Sequence, residues 1–324
     1  MQRISCAEAA QRLGVEEAQV KELLFVHRDR LPAFDPYDLE ELPADVVAGL
    51  SALLRSEKAD PAKASSHTRH PARIFAVTSG KGGVGKTSVS VNLAIEFASR
   101  GLRTILIDVD LGLANTHILA GMQADRTLSD YLAGRAQLPE IVQDGPGGVK
   151  LISGGNGIKE MADLDDAGRR RILGAIEQLR PHCDVILLDT GAGIGNAVTD
   201  FVSIADHTLV VTTSNFAAIA DAYGIVKVLV QSGYDRSMHL IVNRVRSPEE
   251  AEQVFEKLRG CTERFLGSGL NWLGLLPEDR SVEGAVLKRT PFREAFPASV
   301  ATKYLKKLAT ALEQHLPGAA TPSS

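Results

Sequence analysis

The chain has 324 residues, of which 44% are hydrophobic and 23% charged, and a net charge of -4; this suits one large α/β domain with a small appendage and argues against broad nonspecific DNA binding by the whole chain, though not by a local patch. Cys6, Cys183 and Cys261 lie far apart and form no Cys-x-x-Cys, so neither a disulfide framework nor a zinc or cluster site is indicated. No signal pattern and no apolar run of membrane-spanning length occurs, which predicts a cytoplasmic protein.

Residues 1–55 read as a separate small helical module. The pattern predicts a helix over 5–15 closed by a turn at Gly14, a second over 16–24 and a third over 45–54. Ala10, Gly14 and Val20 have helix-turn-helix spacing: small residue, turn glycine, buried β-branched residue. Yet residues 1–60 hold 7 Lys and Arg against 12 Asp and Glu. Glu16, Glu17 and Glu22 fall on the would-be reading helix, where phosphates repel them. Specific DNA binding is therefore not expected, and docking of another protein is the preferred reading. Residues 56–73, with Pro61, Pro71, three serines and two histidines, read as a flexible linker.

From Ile74 to Leu316 strand and helix patterns alternate. Strands are predicted at 74–77, 104–107, 149–152, 185–188, 208–211, 239–242 and 272–276, with helices such as 166–179 and 217–230 between them. Near-continuous apolar strands separated by helices predict a doubly wound, mostly parallel α/β sheet covered on both faces, binding ligands at the carboxyl ends of its strands. Residues 299–316 put Val300, Tyr304, Leu305, Leu308, Leu312 and Leu316 on one side. The preferred reading is a last helix packed on the sheet; the other is an amphipathic helix making peripheral membrane contact. Residues 317–324 are expected to be a disordered tail.

The rim of that sheet carries the chemistry. Between the strand at 74–77 and a helical pattern opening near Ser88 lies Gly80-Lys81-Gly82-Gly83-Val84-Gly85-Lys86-Thr87, a Gly-x-x-x-x-Gly-Lys-Thr turn. Such a loop wraps phosphates in backbone N–H groups, and the helix N-terminus adds its positive dipole end. Gly82, Gly83 and Gly85 permit close approach, Lys86 is placed to reach the β- and γ-phosphates, and Thr87 offers its hydroxyl to Mg2+. Lys81 is a second lysine that the loop does not itself need. The next strand delivers Asp108 and Asp110; either could orient an attacking water, hold a Mg2+ water or cap the following turn, and Asp110 is the choice for the water. The strand at 185–188 delivers Asp189 as the second Mg2+-associated carboxylate, followed by Gly191 and Gly193 in a loop able to respond to a γ-phosphate. Asn243 could read adenine through paired hydrogen bonds, and Pro277, Glu278 and Asp279 could close over the base; a turn asparagine and a turn proline are the plain alternatives. The candidate nucleotide contacts are thus Gly80, Gly82, Gly83, Val84, Gly85, Lys86, Thr87, Ser88, Gly191, Asn243, Arg244, Pro277 and Asp279. Thr87 and Asp189 are the metal candidates, and Lys86 and Asp110 the catalytic ones.

These residues carry a resemblance. From about Ile74 to Leu316 the chain resembles the MinD/ParA group of phosphate-loop ATPases with the deviant Walker A loop: Lys-Gly-Gly-x-Gly-Lys-Thr at 81–87, Asp-x-Asp-x-Gly-Leu at 108–113 and the strand-end Asp189. Within the group it looks most like the FlhG/FleN branch, regulators of flagellar number and placement. The pointers are residues 108–115, Ile-Ser-Gly-Gly-Asn-Gly at 152–157, Asp-Thr-Gly-Ala-Gly-Ile at 189–194 and Ala-Asp-Ala-Tyr-Gly-Ile-Val-Lys at 220–227.

The resemblance implies a P-loop NTPase fold of the SIMIBI type, ATP and Mg2+ as ligands, and slow hydrolysis of ATP to ADP and phosphate. It implies an ATP-dependent homodimer in which Lys81 reaches the neighbouring copy's phosphates, as an arginine finger does. It further implies a switch that governs placement or number of a cell structure, flagella first, at the inner face of the membrane or a cell pole, together with a flagellar GTPase or regulator. The chain departs from the branch in three places. It lacks the Asp-Gln-Ala segment used toward that GTPase and has residues 1–55 there instead. His117 stands where aspartate is common, and Thr213-Ser214-Asn215-Phe216 replaces a proline-containing loop. The alternative function is a chromosome, plasmid or cargo partitioning ATPase that binds DNA nonspecifically. Residues 61–324 give it no help, with 29 basic against 28 acidic residues. Arg169-Arg170-Arg171 is its candidate patch, read in preference as a solvated helix face. An iron protein of the same fold would need cysteines within 129–134 and 194–199, where none occurs.

Overall fold

The structure, a computed structural model, describes residues 3–15, 20, 24, 31–32, 41–59, 71–155 and 164–316. The chain divides into two compact units between Pro71 and Ala72. In the first, β1 (Arg3–Ser5) pairs antiparallel with β2 (Glu41–Pro43), and each strand leads into a helix, α1 (Cys6–Leu13) or α2 (Ala44–Ala59). Ser5 caps α1 by accepting from the Glu8 N–H, and Gly14 ends it at φ 68°, a left-handed conformation that suits glycine at a helix C-terminus. Ala10 and Val20 are buried with Ile4, Leu24, Leu42 and Leu50 in a small core. The β1–β2 ribbon corrects the all-helical expectation for this module, because three-residue strands are too short for alternation to show. Of the helix expected at 16–24 only residues 20 and 24 are described; the linker expected at 56–73 begins late, since α2 runs to Ala59, and residues 60–70 and the tail at 317–324 lie outside the described residues.

The second unit is built on β3 (Arg73–Ser79), β4 (Thr104–Val109), β5 (Gln143–Asp144), β6 (Lys150–Ile152), β7 (Val185–Ala192), β8 (His207–Thr213), β9 (Ser237–Val245) and β10 (Asn271–Pro277). They form one sheet in the order β10-β9-β8-β3-β7-β4-β6-β5, parallel throughout except for the edge pair β5–β6. Its described helices are α3 (Lys86–Ser99), α4 (Thr116–Leu119), α5 (Leu128–Leu132), α6 (Asp166–Leu179), α7 (Asn196–Ser203), α8 (Phe216–Gln231), α9 (Pro248–Leu266), α10 (Arg280–Leu287), α11 (Phe292–Ala295) and α12 (Val300–Glu313). Strand side chains alternate between two cores. Ile74, Ala76, Ile186 and Leu188 pack with α6, α7, α8 and α9. Phe75, Val77, Val185 and Leu187 pack with α3, α11 and α12 on the other face. The linker expectation therefore ends early: Ala72 is buried and Arg73 already begins β3.

The apolar stripe of the last helix belongs to this core. Leu305, Leu308 and Leu312 are buried against the sheet face, which uses the surface that a membrane-lying helix would need. Buried Glu96 on α3 holds both Arg100, at 2.8 Å, and Arg293 of α11, at 2.7 Å. Arg100 continues to Glu313 of α12 at 2.8 Å. Among the described residues, no helix is long and apolar enough to cross a membrane.

At the amino ends of the strands, opposite the rim of the motifs, three histidines meet. His207 Nδ1 lies 3.3 Å from His239 Nε2, and the His315 ring lies 4.5 Å from that of His207 and 5.0 Å from that of His239. Burial, then the His315 charge, lowers His207 to about 4 despite Asp206. Burial, then His207 and His315, lowers His239 to about 4. Both are neutral when folded and protonate on unfolding below their ordinary value of 6.5. Stability contributed by the cluster is therefore present above that value and falls as pH drops toward 4. Urea midpoints should decline between pH 7 and pH 5, and His239→Gln should flatten that decline; an unchanged slope in the variant would contradict the assignment.

Candidate active site

β3 ends at Ser79 and α3 opens at Lys86, so residues 80–85 form the loop where the motif puts it. Ser79 Oγ donates to the Lys81 carbonyl at 2.9 Å. Packing dictates two of the glycines. A Cβ on Gly80 would sit 1.9 Å from the Asp221 carbonyl oxygen of α8, and one on Gly85, at φ 92°, would sit 2.3 Å from Asn243 Nδ2. Gly82 meets nothing within 4 Å, so the protein leaves that approach open for a phosphate. Gly80→Ala must push the loop off α8. The expected outcome is a melting temperature lower by roughly 5–10 °C and nucleotide affinity weaker by at least about tenfold, read by thermal melts and titration of a fluorescent ATP analogue.

β7 lies beside β3 and delivers Asp189 under the loop. Lys86 is buried and pairs with Asp189 Oδ1 at 3.1 Å. Ser90, one turn along α3, donates to the same oxygen at 2.8 Å. Asp189 Oδ2 is buried with no hydrogen-bond partner. An orphaned carboxylate oxygen is costly in a dry site, and an oxygen of this kind beside a P-loop Thr, here Thr87, fits the outer shell of a Mg2+ ion. Thr87 and Asp189 are thus the residues that would hold the metal. Ser90 was not singled out from sequence, because a serine inside a helix pattern gives no signal until the fold brings it to β7.

The two aspartates of the second strand separate into distinct roles. Asp108 is fully buried and accepts from the Asn115, Thr116 and Asp110 N–H groups and from the Thr116 hydroxyl. It anchors the loop after β4, the capping alternative left open by sequence. Burial, then the neighbouring Asp189 charge, raises its pKa against those donors. Asp110 is half-buried, and its Oδ1 accepts from the Leu113 N–H at 3.2 Å. A Cβ on Gly191 would lie 3.6 Å from that oxygen, so the loops after β4 and β7 meet at Asp110. Gly193, at φ 100°, donates to the Ser79 carbonyl at 2.9 Å and joins the β7 loop to the P-loop. His117, unremarked as a site residue, is buried against Ser153 Oγ at 3.1 Å and braces the same loop against β6.

A cavity of about 520 Å³ opens between the P-loop helix and the ends of β9 and β10, lined among others by Gly85, Ser88, Asn243, Arg244, Pro277 and Asp279. Its size suits a nucleobase and ribose. The predicted reading of adenine by Asn243 needs revision in detail. Nδ2 donates to the Val84 carbonyl at 2.8 Å and Oδ1 accepts from the Arg244 N–H at 2.9 Å, which leaves one N–H and one lone pair for a base. Asn243 is therefore a brace of the P-loop first. Arg244 is exposed and left-handed at φ 56°, an uncommon conformation for a side-chain-bearing residue and one found at functional sites. Asp279 is engaged first by the backbone: Oδ1 accepts from the Ser281 N–H and Oδ2 from the Ala301 N–H. Burial would raise its pKa, but those donors at two helix N-termini hold it low. It shapes the wall that Pro277 begins.

Lys81 is exposed, and its ammonium pairs with no carboxylate among the described residues. Two of the three arginines of the alternative DNA patch are engaged within the protein, and Arg170 is exposed. Arg169 pairs with Asp200 at 2.7 Å and also holds Asp166, while Arg171 donates to the Leu132 carbonyl and covers the Tyr131 ring.

Residues 75–292 match the CobQ/CobB/MinD/ParA nucleotide binding domain. The chain is 40% identical to the antiactivator FleN of Pseudomonas aeruginosa over 240 residues, covering 74% of this chain and 86% of that protein. It is 31% identical to the flagellum site-determining protein YlxH of Helicobacter pylori, over 75% of this chain and 83% of that one. Among solved structures, the septum site-determining protein MinD of Pyrococcus horikoshii, complexed with Mg-ADP, superposes with a TM-score of 0.65 at 25% identity, over 75% of this chain and 97% of that one. On the strand order, the P-loop with its paired Lys86 and Asp189, and these matches, the chain belongs to the CobQ/CobB/MinD/ParA family of nucleotide-binding proteins.

Proposed function

We propose that the protein is a MinD/ParA-type ATPase acting as an ATP-dependent dimeric switch that sets the placement or number of flagella. The observation that carries the switch is Lys81: exposed, without an ion pair among the described residues, and on the loop whose own phosphate lysine, Lys86, is already buried at Asp189. Lys86 exchanges Asp189 for the phosphates of its own nucleotide, while Lys81 points its charge to those of the facing copy. Thr87 and Asp189 would hold Mg2+, which would supply positive charge toward the phosphates. Asp110 orients the water, and the cavity beside Asn243 and Pro277 takes the base. The flagellar assignment rests on the likeness to FleN and YlxH. The protein works in the cytoplasm, at the inner face of the membrane or a cell pole, and residues 1–55 receive a protein partner such as a flagellar regulator or GTPase.

Sedimentation with ATP and with ADP tests the switch: dimers should form with ATP alone. Electron microscopy of cells lacking the gene tests the setting, with altered flagellar number or position expected. Unaltered flagella together with salt-sensitive, ATP-dependent DNA binding would overturn the flagellar reading in favour of partitioning.

A further inference from the structure

α3 carries a hydroxyl deep in its packed first turns. Ser90 is fully buried, with Val89 and Val91 buried on either side. Its Oγ lies 2.8 Å from Asp189 Oδ1 and 3.1 Å from the Lys86 carbonyl. A hydroxyl has one proton, and the shorter, charge-assisted bond to the carboxylate takes it ahead of the back-bond along the helix. Lys86 Nζ, 3.1 Å from the same oxygen, is the other donor to Asp189 among the described residues. The neighbour of Asp189 in register across β4 and β7 is Asp108, whose carboxylate is held by four donors of its own loop. Asp189 is thus the loosely held member of two adjacent buried carboxylates. Its Oδ2 is buried without a partner. A bound nucleotide calls Lys86 to its phosphates, and of the two donors only Ser90 then remains on Oδ1.

We propose that Ser90 is a positioning residue for the metal: its hydroxyl pins Asp189 by Oδ1, so that Oδ2 stays available to the water shell of Mg2+ after Lys86 has left for the phosphates. The proposal rests on the placement of Asp189 at the metal. A carboxylate held by one oxygen keeps its orientation, whereas one freed of both donors can turn about its Cβ–Cγ bond and lose the arrangement the metal needs. Residues that orient a metal's ligands in this way set its affinity without touching it. Ser90 matters less in the empty protein, where Lys86 still holds the same oxygen.

The test uses the full chain and a fluorescent ADP analogue, titrated in EDTA and then with increasing Mg2+. Wild-type protein should bind the analogue more tightly as Mg2+ is added. Ser90→Ala should raise the Mg2+ concentration that gives half of this gain about tenfold, the scale on which outer partners of a metal site act. Its affinity in EDTA should change less than about threefold. ATP turnover by Ser90→Ala should fall at limiting Mg2+ and return toward the wild-type kcat as Mg2+ is raised. Ser90→Thr and Ser90→Val add nearly the same shape and differ in the hydroxyl, so any repacking is common to both. The threonine variant should need about tenfold less Mg2+ than the valine variant. A Ser90→Ala protein with the wild-type Mg2+ half-point, or one that loses affinity equally in EDTA and in Mg2+, overturns the inference and leaves Ser90 a packing residue with a helix back-bond. Asp189→Asn separates that failure from failure of the metal reading. If Asp189→Asn shifts the Mg2+ half-point and Ser90→Ala does not, the role of Ser90 alone falls; if neither shifts it, the placement of Asp189 at the metal falls as well.

Discussion

Lys86→Met is expected to abolish ATP turnover and also to destabilise the protein without nucleotide. The second effect follows from the buried pair. Lys86 and Asp189 lie 3.1 Å apart with side chains almost wholly inaccessible, so removing the ammonium strands a carboxylate that keeps only the Ser90 hydroxyl. Breaking one partner of such a pair costs about 3–5 kcal/mol, more than the pair itself contributes over an apolar replacement. Asp189→Asn reverses the arrangement and leaves the ammonium alone. The double variant should therefore be more stable than the sum of the two single losses by at least about 1 kcal/mol, as coupled neighbours are. Urea denaturation of the four proteins closes the cycle; strict additivity would mean that the pair is not formed in solution.

Lys81→Ala is expected to separate binding from turnover. The side chain makes no contact with its own loop that packing depends on, so the melting temperature and monomer affinity for ATP should stay near wild type. ATP-dependent dimers should disappear, and hydrolysis should fall on the order of 10³-fold, the scale of a cation supplied in trans to phosphoryl transfer. A variant that loses nucleotide binding in parallel with turnover would assign Lys81 to its own site.

The parts of the fold that were legible in the sequence are those with local causes. α6 runs from Asp166 to Leu179 as its pattern predicts, capped by Asp165. The β7 core is a continuous apolar run that ends on the carboxylate it delivers. The P-loop was legible because glycine, lysine and threonine at that spacing serve one purpose. Short elements were not: β1, β2 and β5 have two or three residues each, too few for periodicity. The site residues that misled are those whose second partner is distant in sequence. Asn243 looked wholly free for a base until Val84, 159 residues away, took one of its two amide N–H groups. Asp279 looked like a lid until the N–H of Ala301 claimed it. Asp108 and Asp110 are near-identical in sequence context; only the four donors converging on Asp108 set it apart as the anchor of the loop. Ser90 and Gly80 acquire their roles from β7 and α8, which no local pattern joins to them.

The most direct test of the shared site mixes two inactive variants. Lys81→Ala keeps Asp110, and Asp110→Ala keeps Lys81. If Lys81 serves the facing copy, each mixed dimer holds one complete site, containing Asp110 of one protomer and Lys81 of its partner. An equimolar mixture should then recover ATP hydrolysis to at most about half of the wild-type rate, since each mixed dimer has one working site of two. If Lys81 serves its own nucleotide, both sites of a mixed dimer are broken, and a mixture as inactive as its components would contradict the account.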